Sequence, residues 1–299
     1  MKFCMVMLGL SPRHYPQAAA VAEANGFESI TMPEHLLLPA TMPPTYPYSE
    51  TGYSVMSEST PLYDPWVVLA SVASATTSIR LSTNVYVIPL RHPFVTARSV
   101  VTLDRISNGR VTLGAGVGWL QEEFDAAGQS FHDRGKRMDE IVPLLRRLWT
   151  EDVIEHHGEY YDFGPIKFEP KPIQKPTIPI DIGGHSPGAL RRAGRLGDGW
   201  AEVGSHDYET FVQRRDIVLR AREEAGRGDL PFEISSGMAT DLTSVLRLQE
   251  LGVTRAIMAP RSDLRRSVAD VTRLRPTDFT DWCKRVADTV IANVPAAAT

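Results

Sequence analysis

The sequence predicts one α/β domain over residues 1–299, folded as a (β/α)8 barrel, also called a TIM barrel. Two observations point to this fold class. First, 299 residues with 42% hydrophobic content can bury a large core, and a barrel of roughly 250 residues with insertions fits that length. Second, strands and helices alternate along the chain in eight pairs, which requires a parallel sheet. Closing the sheet into a barrel leaves no strand edge unpaired.

The eight predicted pairs begin at the N-terminal apolar run MKFCMVMLGL. This run ends in Ser-Pro-Arg-His rather than in a small-residue cleavage site, so it indicates a strand and not a signal peptide. The predicted strands are 2–8, 28–32, 79–87, 111–116, 178–183, 199–203, 232–238 and 253–259. The helices that follow them are 16–25, 64–76, 94–107, 133–149, 187–196, 207–226, 241–251 and one near 264–293.

Two insertions interrupt the alternation, one after the second strand and one after the fourth helix. Residues 36–63 hold five prolines with interleaved Tyr and Met, and they far exceed the usual βα connection of about 2–6 residues. Active sites of barrels lie at the C-terminal ends of strands, so we favour a loop that covers the substrate over a tolerated surface insertion. Residues 151–177 alternate aromatic residues and predict a structural hairpin beside the barrel.

Composition and charge exclude several classes of partner. The formal net charge is −4, from 32 basic and 36 acidic residues, so no basic excess would neutralise a nucleic acid backbone. No uncharged apolar stretch approaches the roughly 18 residues that span a bilayer. Cys4 and Cys283 are far apart and lack metal-ligand spacing, which favours free thiols in a reducing compartment. We therefore expect a cytoplasmic protein that acts on a small molecule.

Titratable residues follow the second predicted strand. Glu34 and His35 come directly after strand 28–32, at the mouth of the predicted barrel. A histidine exchanges a proton near neutral pH, and Glu34 could orient it or act alone. The alternative is a hydrogen-bonded structural histidine. Position at a strand end favours catalytic roles for His35 and Glu34.

The third predicted strand, 79–87, contains an asparagine at position 84. Asparagine is unfavourable inside strands, so Asn84 indicates a bulge that moves the backbone towards a ligand. His92 precedes Pro93 at the start of the next helix. A capping role for His92 is favoured over a catalytic one.

Two glycine-rich corners follow strands 111–116 and 178–183. In the first, Gly114, Gly116 and Gly118 either let a planar or phosphorylated molecule lie against backbone amides or allow tight packing. In the second, Ser186-Pro187 opens a helix whose free amides favour a phosphate. Neither corner spells the dinucleotide fingerprint of a Rossmann fold. Apart from the adjacent His156 and His157 in the predicted hairpin, the histidines lack ligand spacing, so we expect no metal.

Several motifs together resemble the bacterial luciferase-like superfamily, and within it the actinobacterial branch of coenzyme F420-dependent oxidoreductases. The resemblance spans most of the chain. The motifs that carry it are Pro33-Glu34-His35, IRLSTNVYVIPLRHP at 79–93, DRISNGRVTLGAGVGWLQEEF at 104–124, RGKRMDEIVPLLRRLW at 134–149, HGEYYDF, and IPIDIGGHSPGALRRAGRLGDGW at 178–200.

The resemblance implies a barrel that holds a tricyclic ring at the C-terminal ends of its strands, and it implies roles for individual residues. A bulge at Thr83, Asn84 and Val85, with a cis peptide bond between Asn84 and Val85, would press on one face of the ring. His35 would lie near the reacting carbon. The corner that would line the cofactor comprises Gly114, Ala115, Gly116, Val117, Gly118 and Trp119. The residues that would meet its phosphate are Gly183, Gly184, His185 and Ser186.

One position departs from the relatives that oxidise sugar phosphates. They carry a glutamate where this chain has Val117, so the resemblance does not extend to a sugar-6-phosphate dehydrogenase. Glu122 and Glu123 lie nearby, in the first turn of a helix, where we expect them only to complement the helix dipole.

The sequence thus predicts an oxidoreductase that transfers a hydride between coenzyme F420 and a small, largely apolar organic substrate. Two alternatives stay open. One is a monooxygenase that uses reduced FMN and oxygen, and the other is a non-catalytic protein that binds a flavin or deazaflavin. Relatives often dimerise, so the resemblance also implies a homodimer.

Overall fold

The computed structural model describes residues 1–54, 56–205, 207–260 and 275–295. Eight parallel strands form the ring, namely β1 (Lys2–Val6), β2 (Ser29–Met32), β3 (Arg80–Thr83), β5 (Val111–Gly116), β8 (Ile180–Gly183), β9 (Gly199–Ala201), β10 (Glu233–Ser236) and β11 (Arg255–Met258). They pair in this order, and β11 pairs again with β1, so the ring is closed. The predicted barrel is confirmed.

Helices surround the ring and bury their apolar faces against it. They are α1 (Tyr15–Ala24), α2 (Pro65–Ala73), α3 (Pro93–Ile106), α4 (Gln121–Ala126), α5 (Arg134–Thr150), α6 (Pro187–Leu196), α7 (Tyr208–Glu224), α8 (Leu242–Glu250) and α9 (Pro276–Thr289). Proline stands at the first position of several, where its missing N–H costs no hydrogen bond. The core includes the fully buried side chains of Trp149, Trp200 and Phe211.

The third predicted strand differs most from expectation, because it is divided in two. β3 ends at Thr83, and pairing resumes in the short β4 (Tyr86–Val87), which lies beside β5. Between them, the peptide bond that joins Asn84 and Val85 is cis. Other predicted elements differ by a few residues at their ends. Of the last predicted helix, near 264–293, residues 264–274 lie outside the described residues, and the part that is described is α9.

The predicted hairpin at 151–177 is present as the antiparallel pair β6 (Ile154–His157) and β7 (Asp162–Ile166). Glu140 of α5 fastens it to the barrel. The Glu140 carboxylate accepts hydrogen bonds from the amides of Tyr160 and Tyr161, at 3.0 and 2.9 Å. His156 Nε2 lies 2.9 Å from the same carboxylate. These contacts give the hairpin the structural role expected from the sequence.

Glu23 at the end of α1 links this helix to the start of β3. Its contribution to the stability of the fold can be measured. Its carboxylate accepts hydrogen bonds from the amides of Thr77, Ser78 and Ile79. Burial acts to raise the pKa of Glu23, but the bonds from Ser78 and Ile79 outweigh it and lower the pKa to about 2. A depressed carboxyl pKa stabilises the fold above the unfolded value near 4.5 and ceases to do so as pH falls through about 2.

Replacing Glu23 by glutamine should therefore lower the free energy of unfolding at pH 7 by about 1–2 kcal/mol, a charged hydrogen-bond contribution reduced by solvent screening. Urea denaturation of Glu23→Gln and wild type at pH 7 and near pH 3 measures this. The difference should shrink at the lower pH. The matched control is Glu224→Gln, an exposed position in α7. An equal loss at both pH values would contradict the role of the Glu23 charge.

Candidate active site

A pocket of about 270 Å³ lies at the C-terminal ends of the barrel strands. Residues at or just beyond the C-terminal ends of β2, β3, β4, β5, β8 and β9 line it, together with part of segment 36–63. Most of the site residues predicted from the sequence meet there, namely Glu34, His35, Asn84, Val85, Gly116, Val117, Gly118, Trp119, Gly183, Gly184, His185 and Ser186. Thr83, Gly114 and Ala115 are buried behind the lining and are not part of it.

The bulge at Asn84 and Val85 projects into this pocket, and two glycines make room for it. A Cβ atom added to Gly116 would lie 2.4 Å from Val85 Cγ2. A Cβ atom added to Gly183 would lie 2.5 Å from Val85 Cγ1. Both separations are far below contact distance, so the Val85 side chain is clamped between the two corners. The clamp fixes where the bulge meets the pocket.

The other glycines of the first corner also serve packing. A Cβ on Gly114 would lie 1.7 Å from the carbonyl oxygen of Thr83, whose hydroxyl donates to the Gly114 carbonyl at 2.7 Å. A Cβ on Gly118 would lie 2.7 Å from Val87 Cγ1. The sequence left open whether these glycines contact a ligand or allow tight packing. The structure supports tight packing, because Gly114 lies against β3 and Gly118 lies against β4.

His35 is oriented by a carboxylate that the sequence did not assign to it. Its Nδ1 lies 2.9 Å from Oε2 of Glu123, and both side chains are buried. Glu123 Oε1 also accepts the backbone N–H of Leu36. Because the carboxylate acts as an acceptor, Nδ1 carries the hydrogen, and Nε2 is the ring atom left to exchange a proton. The expectation that Glu123 only complements the helix dipole was wrong.

Glu34 does not orient His35. Its carboxylate is held by Arg91, at 2.5 Å between Oε1 and Nη2, and it accepts the Val87 amide at 3.0 Å. Burial raises the pKa of Glu34, and the Arg91 guanidinium and the Val87 amide oppose that effect. The Glu34–Arg91 pair therefore supports the backbone of β4 just beyond the bulge. Arg91 was not singled out from the sequence.

Aromatic side chains of segment 36–63 cover both glycine corners. The ring of Tyr46 packs edge-on against Trp119 with centroids 5.0 Å apart, and Tyr48 packs against His185 at 4.7 Å. Trp119 also meets the ring of His35 at 5.7 Å. This placement supports the expectation of a covering loop, and its role over a substrate stays a prediction.

The N-terminus of α6 also lines the pocket. Ser186 caps this helix, and its Oγ accepts the Ala189 amide at 3.2 Å. Arg134 of α5 lines the pocket as well, which the sequence did not indicate. His92 lies outside the lining and caps α3, where its Nδ1 accepts the Phe94 amide at 3.2 Å. The capping role favoured for His92 is confirmed.

The described part of the chain holds no group of three or more His, Cys, Asp or Glu side chains that could bind a metal ion. Among those same residues, no helix is both long enough and apolar enough to cross a membrane.

Comparison with known proteins identifies the family. The model of the luciferase-like monooxygenases matches residues 3–265. The chain belongs to this luciferase-like family. A similar solved structure is the coenzyme F420-dependent tetrahydromethanopterin reductase from Methanopyrus kandleri, which has a TM-score of 0.74 at 18% identity and is covered over 98% of its length, with 97% of this chain covered. At that identity it shows the fold alone.

Three curated relatives are similar to this chain in sequence. An uncharacterized protein of Mycobacterium tuberculosis is 36% identical over 83% of this chain and 85% of its own length. An F420-dependent glucose-6-phosphate dehydrogenase of Amycolatopsis mediterranei is 29% identical over 72% of this chain and 60% of its own. An FMNH2-dependent dimethylsulfone monooxygenase of Pseudomonas putida is 33% identical over 43% of this chain and 36% of its own.

Proposed function

We propose that this luciferase-like protein is an oxidoreductase that transfers a hydride between coenzyme F420 and a small, uncharged organic substrate. The observation that carries the proposal is that His35, held from behind by the buried Glu123, lines the same pocket as the bulge at Asn84 and Val85. The bulge would support a flat ring, and His35 would exchange a proton beside that ring.

The pocket fits a ring that bears carbonyl and N–H groups and a phosphate. Among the described residues, the Oδ1 atom of Asn84 is buried without a hydrogen-bond partner, and a buried acceptor is costly unless a ligand pairs with it. The N-terminus of α6 also lines the pocket, and the positive end of the helix dipole there favours an anion. The ring would lie along the bulge, and the phosphate would lie near Ser186.

Different residues of the chain would have different roles in the reaction. The bound deazaflavin would supply the carbon that gives or accepts the hydride. His35 Nε2 would donate or remove the proton that accompanies the hydride at the substrate. Glu123 would hold the imidazole in the required tautomer. Tyr46 and Trp119 would exclude water from the reacting face.

The charges near His35 favour an uncharged substrate. Arg91, the arginine closest in sequence to the bulge, is committed to Glu34. Val117 adds an apolar lining residue, as do Met56 and Val87. Because Arg91 is paired with Glu34 and these three lining residues are apolar, this part of the pocket supports a neutral, largely apolar molecule over a sugar phosphate.

A titration of the apoprotein with coenzyme F420 and, separately, with FMN tests the choice of cofactor. We expect F420 to bind at least tenfold more tightly, measured by quenching of its fluorescence. Reduced F420 should then be oxidised by some member of a panel of small aldehydes, ketones and enones. Tight FMN binding with no affinity for F420 would instead establish the FMN-dependent monooxygenase. Cofactor binding with no turnover across the panel would favour the non-catalytic alternative.

We further propose that the protein acts in the cytoplasm as a homodimer. Cys4 and Cys283 are both buried free thiols, which suits a reducing compartment. Val67 of α2 and Val95 of α3 are exposed apolar side chains, and α2 packs beside α3. These residues would form part of a contact between two copies.

A further inference from the structure

Aromatic side chains of the described residues form one continuous series of ring contacts along the pocket. In order, the rings that meet are those of His35, Trp119, Tyr46, Tyr48 and His185, and all of them line the pocket. Successive ring centroids lie 5.7, 5.0, 5.2 and 4.7 Å apart, with angles between ring planes of 85°, 72°, 80° and 78°. This is the edge-to-face arrangement that aromatic rings prefer. We call this series the aromatic wall.

The aromatic wall is fixed at both of its ends. A Cβ atom added to Gly204 would lie 2.9 Å from Tyr48 Cδ1 and 3.0 Å from His185 Nδ1, so the backbone after β9 packs directly against these rings. At the other end, the Glu123 carboxylate lies 2.9 Å from His35 Nδ1. Rings that are already held in place lose little freedom when a ligand binds, which favours affinity.

The tyrosines of the aromatic wall are neutral, and the wall keeps surface that a ligand can cover. Burial raises the pKa of Tyr46 to about 12 and also raises the pKa of Tyr48. Both phenols are therefore uncharged at neutral pH. Trp119 and the two tyrosines are only partly buried, although each of them packs against two other rings. An apolar ligand in the pocket would remove the remaining aromatic surface from water.

The aromatic wall begins at the residue that would exchange the proton. The proposed function places the reacting group of the substrate at His35 Nε2, and the ring of Trp119 is centred 5.7 Å from the His35 ring. This distance equals about four carbon–carbon bonds of roughly 1.5 Å. A substituent a few bonds from the reacting carbon can therefore reach Trp119, and beyond it Tyr46, whose ring is centred 5.0 Å from that of Trp119.

We propose that the substrate carries an aromatic ring a few bonds from its reacting carbonyl group, and that Trp119 and Tyr46 select for this ring. The inference rests on the proposed function and narrows its substrate class to aryl-substituted aldehydes and ketones. An aromatic ring gains from contact with the faces and edges of other rings, beyond the gain from burying its surface. A saturated ring of similar size gains only from burial.

The reaction at the carbonyl group is the one already proposed. The carbonyl carbon would receive the hydride, and the oxygen would receive the proton of His35 Nε2, which gives an alcohol. The proton that leaves the oxidised cofactor would restore His35. Trp119 and Tyr46 take no part in these transfers and act only on the choice of substrate.

A matched pair of aldehydes tests the selection. 3-Phenylpropanal and 3-cyclohexylpropanal have carbonyl groups of equal reactivity and rings of similar size. Steady-state oxidation of reduced F420 should give a kcat/KM about tenfold higher for the phenyl compound. Trp119→Leu and Tyr46→Leu should each reduce this preference to less than about threefold. Because both aldehydes react with the same bound cofactor, any effect of a variant on cofactor binding cancels in the ratio.

Two further variants separate the aromatic ring from other features of the segment. Tyr46→Phe keeps the ring and should retain the preference that Tyr46→Leu loses. Tyr53→Leu removes an exposed ring of the same segment that lies outside the pocket lining, and it should leave the preference unchanged. Equal kcat/KM values for the two aldehydes in the wild type, or a preference that survives both Trp119→Leu and Tyr46→Leu, would overturn the inference while leaving the proposed function in place.

A second measurement does not depend on turnover. The unreactive amides 3-phenylpropanamide and 3-cyclohexylpropanamide are titrated into the protein as purified, and calorimetry measures their affinities. The wild type should bind the phenyl amide about tenfold more tightly, and Trp119→Leu should bind the two amides alike. If no aldehyde oxidises reduced F420, the proposed function fails, and a phenyl preference that depends on Trp119 would still support an aryl site. Equal affinities in the wild type, or no binding of either amide, would overturn that site.

Discussion

Replacing His35 by alanine is expected to lower turnover by about 10²–10⁴-fold while leaving the affinity for the cofactor unchanged. The expectation follows from the Nδ1 contact to Glu123 at 2.9 Å, which leaves Nε2 as the proton-exchanging atom in the pocket. Steady-state oxidation of reduced F420 measures the first quantity, and fluorescence titration measures the second. Added imidazole should restore part of the lost rate. Unchanged turnover would exclude His35 as the proton donor or acceptor.

Glu123→Gln separates the positioning role from the proton transfer itself. A glutamine amide would turn an N–H towards His35 or fail to accept from Leu36, so the tautomer would no longer be fixed. We expect turnover to fall roughly 10²-fold, with a shifted pH profile and little change in KM, and partial recovery in Glu123→Asp. The control is Glu122→Gln, an exposed neighbour in the same helical turn. A loss confined to stability, with a normal pH profile, would contradict the positioning role.

The second large effect is expected at Gly183, where a methyl group would collide with Val85 at 2.5 Å. Gly183→Ala should cost about 1–3 kcal/mol of stability, the usual cost of overpacking. Because the collision displaces the bulge, cofactor affinity should also fall by at least tenfold. Thermal denaturation and fluorescence titration measure the two effects.

Combining Gly183→Ala with Val85→Ala identifies the cause. Without the Val85 methyl groups, the nearest atoms to the new Cβ would be Ala201 O and Val85 Cβ, both at 3.7 Å, an ordinary contact. The double variant should therefore be more stable than Gly183→Ala alone. Gly164→Ala, in β7 of the hairpin, is the matched control, since nothing lies within 4 Å of its added Cβ. If the double variant is no more stable than Gly183→Ala alone, contact with the Val85 side chain is not the reason that position 183 requires glycine.

The barrel was predictable because its signals are local. Each strand is a short apolar run, and each helix begins at a cap or a proline that can be recognised within a few residues. Asn84 indicated a bulge in the third strand for the same reason, since a polar residue in a buried strand conflicts with its neighbours. The structure places the break and the cis bond at Asn84 and Val85.

A site residue was predictable only where its type and its place in the sequence indicated a function without knowledge of its spatial neighbours. His35 at a strand end satisfied that condition, but Glu123 lies 88 residues away from it and also suits the first turn of a helix. Arg134 gave no sign of its position, because an arginine in a polar helix is usually solvated. The sequence left open whether the corner glycines face a ligand or allow tight packing, because the side and main chains that require them, Val85 and Thr83, belong to the neighbouring β3–β4 segment.

The contacts of Glu123 have a consequence for the timing of the reaction. One carboxylate holds both the imidazole of His35 and the amide of Leu36, the first residue of the covering segment. If that segment moved outward to let a substrate enter or a product leave, it would displace the Glu123 carboxylate. The imidazole of His35 would then lose its alignment. His35 would be a poor acid or base while the entrance is open, so proton transfer to or from the substrate would become efficient only once the entrance is shut.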